Sequence, residues 1–328
     1  MTMPPVTLEL LRDGIAAARA RPALDDRVRA EQLTARAWLY VTRDGRPGVL
    51  FEEYGSEPIS VGSVHIGRVK VVRNLAATVQ PANGEPHSTT AATVECDSED
   101  PMIQDFFLRL LLGLLATAEA DDGSPGFESA LQHFRELLVR VVRPADRDLQ
   151  GLWAELCVLD YAADSVALVR AWHRSQYENF DFLVEGTVLE VKSTRSRTRS
   201  HRFTSRQLTE PPRTLIVSIK LDATGAGDSI FDIYDRVASA LPAPLRRAFD
   251  QEVFDAIGDR YIEAAEVRFD QVLARQSLAL FDARDLPALR EPFPPRISDV
   301  TFKVDLEGIE PATPNSEWPA LWRAVRDL

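Results

Sequence analysis

Between Phe180 and Ser193 the chain reads Phe-Asp-Phe-Leu-Val-Glu-Gly-Thr-Val-Leu-Glu-Val-Lys-Ser, two apolar runs on either side of a Glu185-Gly186 pair. Runs of strand length flanking a two-residue turn predict a β-hairpin, with glycine supplying a positive φ. With residues 185 and 186 as the turn, Val184 faces Thr187, Phe182 faces Leu189 and Asp181 faces Glu190. Facing carboxylates, with Cβ atoms about 5 Å apart, destabilise a sheet unless something offsets them. A hard divalent cation does so, because Mg²⁺ takes carboxylate and carbonyl oxygens. Strand alternation also puts Lys192 on the same face as Glu190, beside such an ion.

A helix is predicted from Leu149 to Tyr161. Glu155 lies three residues after Leu152 and four before Leu159, on the apolar stripe that should face the sheet. A carboxylate there is costly unless paired or bound to metal. Glu155 is therefore either a third member of the acidic site or an exposed residue at the stripe's edge.

Elsewhere the punctuation is clear. A helical start over residues 8–37 precedes a small antiparallel sheet over 37–96, then helices over 101–118 and 124–142. Pro144 to Asp148 breaks the periodicity, which sets domains at 1–146 and 147–328. The second domain continues with a strand over 214–221, helices over 229–241 and 243–256, and strands over 277–281 and 300–306. Gly225-Ala226-Gly227-Asp228-Ser229 lacks the lysine and full glycine pattern of a phosphate loop, and reads as a turn with Asp228 capping a helix. His65, His87, His133 and His173 show no metal-ligand spacing.

Two cysteines, Cys96 and Cys157, form no disulfide framework, which points to a reducing compartment and a cytoplasmic protein. No signal peptide or membrane span is apparent: the apolar run from Phe106 to Ala116 is too short to cross a bilayer and carries Arg109, so it reads as a buried helix. With 38 basic against 50 acidic residues, the net charge of −12 argues against a general nucleic-acid binder. That charge is unevenly spread. From Thr187 to Arg213, seven cations (Lys192, Arg195, Arg197, Arg199, Arg202, Arg206 and Arg213) face two glutamates.

The residues just described resemble the PD-(D/E)XK nuclease superfamily: Asp181, eight residues, then Glu190-Val191-Lys192, after a helix offering Glu155. The proline that names the motif is replaced here by Phe180. The chain also resembles a bacterial family of PD-(D/E)XK members encoded near restriction-modification and phage-defence genes. That likeness rests on Gly-Leu-Trp-Ala-Glu-Leu from Gly151, Leu-Glu-Val-Lys-Ser-Thr from Leu189, His201, Ser-Arg-Gln-Leu from Ser205, Phe293-Pro294 and the strand over 300–306.

The resemblance implies an α/β fold, a restriction-endonuclease-like core of mixed sheet flanked by helices, preceded by an α+β N-terminal domain. It implies that Asp181, Glu190 and the Val191 carbonyl ligate Mg²⁺, with Mn²⁺ as an alternative, and that Glu155 helps directly or through water. Lys192 then orients or deprotonates the attacking water and offsets charge on the phosphorane. The expected function is Mg²⁺-dependent endonucleolytic DNA cleavage in bacterial restriction or phage defence. The alternative is a catalytically silent nucleic-acid-binding or scaffolding subunit.

Beside DNA, the expected partners are other defence proteins, such as a methyltransferase or an ATPase, or a second copy of the chain. Arg195, Arg197, Arg199, His201, Arg202, Arg206 and Gln207 are the candidate DNA contacts, since arginines in a polar stretch suit phosphates. A solvated loop is the competing reading of the run, and an exposed histidine that of His201. Gln207 reads equally as a substrate contact or a helix-surface residue.

Overall fold

A computed structural model describes residues 6–20, 30–53, 62–66, 68–80, 85–119, 124–140, 148–172, 180–184, 186–209, 213–289, 293–294, 296–297 and 300–312. Glu185, His173 and most of the expected boundary over 144–148 lie outside them. The chain forms two compact units, Met1–Pro144 and Ala145–Leu328. Among the described residues, no helix is long and apolar enough to cross a membrane.

The first unit runs α1 (Leu8–Arg19), β1 (Ala30–Gln32), β2 (Ala37–Val41), β3 (Pro47–Glu53), β4 (Gly62–Ile66), β5 (Val69–Val79), β6 (His87–Cys96), α2 (Pro101–Glu119) and α3 (Ser124–Arg140). The strands form one antiparallel sheet of order β1-β2-β3-β6-β5-β4. The opening helix is shorter than expected. It stops at Arg19, just before Pro22, whose ring disfavours helical geometry in the preceding residue, and part of the expected helical stretch pairs as β1. The apolar run over 106–116 lies in α2 with Phe107, Leu111 and Leu114 buried, and Arg109 is tied to Asp105 one turn back at 3.2 Å.

The second unit is mixed α/β. It runs α4 (Leu149–Tyr161), α5 (Ser165–Ala171), β7 (Phe182–Val184), β8 (Thr187–Thr194), β9 (Ser200–Thr204), α6 (Ser205–Thr209), β10 (Arg213–Lys220) and β11 (Ala223–Ser229). There follow α7 (Ile230–Ser239), α8 (Ala243–Ile257), α9 (Tyr261–Glu266), β12 (Arg268–Phe269), α10 (Gln271–Ser277), β13 (Ala279–Asp282) and β14 (Thr301–Asp305). A four-stranded sheet of order β13-β10-β8-β7 is parallel only between β10 and β8. β9 and β14 pair as a separate antiparallel ribbon.

The centre of this unit follows from its sequence. Four of the five residues from Leu215 to Ile219 in β10 are apolar, and all five, Ser218 included, are buried, as a strand covered on both faces requires. α4 is apolar nearly all round and buries ten of its thirteen residues, so it can only be an interior helix. Asp148 caps it by accepting from Gln150 N–H, and Trp153 fixes its outer face by donating to the Asp228 carbonyl at 2.8 Å.

Two local expectations are corrected. Residues 223–229 form β11, where Gly227 packs so closely on Phe269 that a Cβ would sit 2.2 Å from its carbonyl oxygen. Ser229, rather than Asp228, caps α7 and closes a capping box with Asp232, while Asp228 pairs with Arg236 at 2.8 Å. The basic stretch after β8 contains a paired strand, because β9 finds its partner in β14, about a hundred residues on.

Candidate active site

The hairpin has the expected register: Val184 pairs with Thr187, Leu183 with Val188 and Phe182 with Leu189. Gly186 has φ 76°, a conformation that favours glycine. Asp181 lies one step beyond the last ladder pair, and its Oδ2 accepts from the Val191 N–H at 2.6 Å. That contact holds the carboxylate against β8 just before β7 begins.

Asp181, Glu190, Val191, Lys192 and Glu155 line one cleft of about 650 Å³, together with His201, Arg202, Gln207 and Lys303. Glu190 Oε1 accepts from Lys192 Nζ at 2.6 Å and from Gln207 Nε2. Its second oxygen, Oε2, is buried and finds no hydrogen-bond partner among the described residues. Lys192 in turn lies over the Phe203 ring, 5.6 Å from its centroid. Gln150 reaches from the first turn of α4 to the Ser193 hydroxyl at 3.1 Å, tying that helix to β8.

The electrostatics are those of carboxylates lacking enough positive charge. Burial, then the charges of Glu190 and Glu155, push the Asp181 carboxyl well up from its ordinary value. Glu190 is also raised by burial, although Lys192 opposes the shift. Glu155 is buried inside α4 rather than exposed, and its Oε2 accepts from the Trp172 indole at 2.9 Å. Among the described residues no three acidic, histidine or cysteine side chains are grouped to hold a metal. Glu155 lines the cleft as a buried charge that acts on Asp181, with one carboxylate oxygen anchored to Trp172.

The remaining atoms suit a hard divalent cation. A buried acceptor left unpartnered costs roughly 1–3 kcal/mol, and a cation at Glu190 Oε2 would remove that cost. Asp181 and the Val191 backbone on the same cleft complete a set of oxygen donors. The fit rests on two carboxylates and one strand, not on an acidic cluster.

The candidate DNA contacts divide into two groups. Arg195, Arg197, Arg202 and Arg206 are exposed, and Arg202 lines the cleft. Arg199 is turned inward, donating to the Ser218 carbonyl and hydroxyl at 2.9 and 3.0 Å and to the Ser277 carbonyl. Three of its donors are thus engaged by the fold, unlike those of the exposed arginines. His201 is buried and bonded to the Ser218 hydroxyl at 2.8 Å, and burial with the nearby Lys192 and Arg199 pushes it down to about 4. Gln207 is buried, lines the cleft and donates to Glu190.

Sequence reasoning missed Trp172, Gln150 and Lys303. Only Lys303 carried a signal, as one of four lysines in a chain with 38 basic residues. The family model described as "Putative PD-(D/E)XK family member, (DUF4420)" matches residues 44–307. No curated protein and no solved structure matches the chain.

Proposed function

The chain belongs to this PD-(D/E)XK family, and from that premise we propose that it is a Mg²⁺-dependent endodeoxyribonuclease of a bacterial restriction or phage-defence system, acting in the cytoplasm. The observation that carries the reading is the Glu190 carboxylate, held by Lys192 and Gln207 through one oxygen and presenting the other, buried and unpartnered, beside Asp181.

In this reading Asp181, Glu190 and the Val191 carbonyl hold Mg²⁺, or Mn²⁺ in its place. The ion supplies Lewis-acid polarisation of the phosphodiester and a lowered pKa for water. The chain's own groups do the rest. The Val191 N–H fixes one oxygen of Asp181, so the carboxylate is oriented before substrate arrives. Lys192 places an ammonium beside Glu190, where it orients the attacking water and offsets charge developing on phosphorus. Glu155 adds negative charge behind the pair and strengthens its demand for a cation. Exposed Arg195, Arg197, Arg202 and Arg206 supply phosphate contacts that give affinity without sequence information.

A second reading, a silent DNA-binding or scaffolding subunit, draws on the absence of a third carboxylate ligand among the described residues. In either reading a methyltransferase, an ATPase or a second copy of the chain is a candidate partner. Cleavage of supercoiled and linear DNA with Mg²⁺ separates the two. The wild type should nick DNA, and Asp181→Ala and Lys192→Ala should not. Nicking by the wild type no greater than by these variants, across unmodified, methylated and single-stranded DNA, would sink the nuclease reading in favour of the scaffold.

A further inference from the structure

Arg202 in β9 and Lys303 in β14 are direct partners in the antiparallel ladder. Directly opposed residues share a face of the ribbon. Their neighbours His201, Phe203 and Val304 are buried, so alternation turns Arg202 and Lys303 outward, and both are exposed. Both also line the cleft that holds Asp181 and Glu190. The cleft thus has a carboxylate pair on one wall and a cation pair on another.

Like charges facing each other across a ladder are unfavourable, and among the described residues neither cation forms an ion pair that would relieve the repulsion. Among the described residues the nearby acids make their bonds away from the two cations. Asp305, two residues from Lys303 on the same face, accepts from the Glu307 N–H at 3.0 Å, and Glu307 lies 3.6 Å from Lys220. A ligand with negative oxygens would offset the repulsion as a cation would offset that of the carboxylates. It must also lie along the cleft that leads to Asp181.

Resting on the nuclease reading, we infer that Arg202 and Lys303 form a phosphate clamp for the DNA strand in the cleft, holding a backbone phosphate beside the scissile one. The ribbon separates this role from chemistry, because among the described residues neither side chain forms a hydrogen bond or ion pair with Asp181, Glu190 or Lys192. Each phosphate that arginine or lysine neutralises releases counterions, adding about 0.9 to the slope of log affinity against log salt. The clamp therefore contributes about 0.9 if both cations share one phosphate and about 1.8 if they hold two.

The test measures binding of a short DNA duplex with Mg²⁺ by fluorescence anisotropy, in the Asp181→Asn chain so that no cleavage intervenes. Arg202→Gln, Lys303→Gln and the double variant are compared over salt from about 50 to 200 mM. Each phosphate no longer neutralised, in the single variants if the cations hold two or in the double variant if they share one, should make binding about 3.5-fold less sensitive to that salt change, and Lys303→Arg should keep the parent's slope. Melting temperatures of the glutamine variants should equal or exceed the parent's, since a repulsion has been removed. Unchanged slopes in the variants, while the wild type cleaves DNA, would overturn the clamp and leave the nuclease reading standing. A lowered melting temperature with unchanged slope would mark the pair as structural and overturn the clamp equally. If the parent neither binds DNA nor, as wild type, cleaves it, both inferences fall.

Discussion

Gln207 donates to the same Glu190 oxygen that Lys192 holds, so Oε2 alone is left to face a ligand. A short helix, α6, thereby fixes the orientation of a carboxylate seventeen residues earlier in the chain. Gln207→Leu removes that donor while keeping an apolar stem of similar size. Orienting partners of metal ligands are worth about 10–100-fold in metal affinity or activity. The expected result is a rise of that order in the Mg²⁺ concentration giving half-maximal cleavage. A Mg²⁺ titration of DNA nicking reads it, and an unchanged midpoint would show that Lys192 alone orients Glu190.

Asp181 is costly to the fold without a cation, because burial and two neighbouring carboxylates raise its pKa. Asp181→Asn is neutral and can still accept from the Val191 N–H through its amide oxygen. The metal-free variant should therefore gain stability at neutral pH, while cleavage is lost. Thermal unfolding in EDTA measures the gain. Wild-type protein should recover the difference on adding Mg²⁺, and the variant should not.

The hairpin and its register were legible because they depend on local periodicity, two along β7 and β8, and the apolar stripe along α4 made Glu155 a candidate without deciding between a buried and an exposed place. Gly186 marked the turn for the same reason. The fates of Arg199, His201 and Gln207 were not legible, because they depend on distant partners. Ser218 lies on β10 and Ser277 at the end of α10, and nothing near Arg199 in sequence announces them. The pairing of β9 with β14 decides which residues of the basic stretch face out, and it puts Arg199 on the inward parity and Arg202 on the outward one. A run of arginines read as one surface is thus divided by a strand that sequence alone placed in a loop.

Arg199 and Arg202 should consequently respond to mutation in opposite ways. Arg199→Ala strips hydrogen bonds from the Ser218 and Ser277 carbonyls and should cost about 2–4 kcal/mol of stability. Its DNA-binding salt dependence, measured below the melting temperature, should match the wild type. A flattened salt slope in Arg199→Ala would instead place this guanidinium on DNA.

His201 gives the fold an acid limit. Its ordinary value of 6.5 is pushed down to about 4, first by burial and then by Lys192 and Arg199. Between those values the unfolded chain binds a proton at this position and the folded chain does not, so stability rises with pH across that window. The contribution is fully present above 6.5 and is lost as pH falls toward 4. A shift of this size corresponds to roughly 3 kcal/mol, an order-of-magnitude figure for one group. Asp181 and Glu190 work against it, since their raised values favour protonation in the fold. Comparing wild type with His201→Gln, which can still hydrogen-bond the Ser218 hydroxyl, isolates the histidine. Over pH 6.5 to 4 the melting temperature of the wild type should fall more steeply than that of the variant. Parallel curves would mean that His201 keeps an ordinary value in the folded chain.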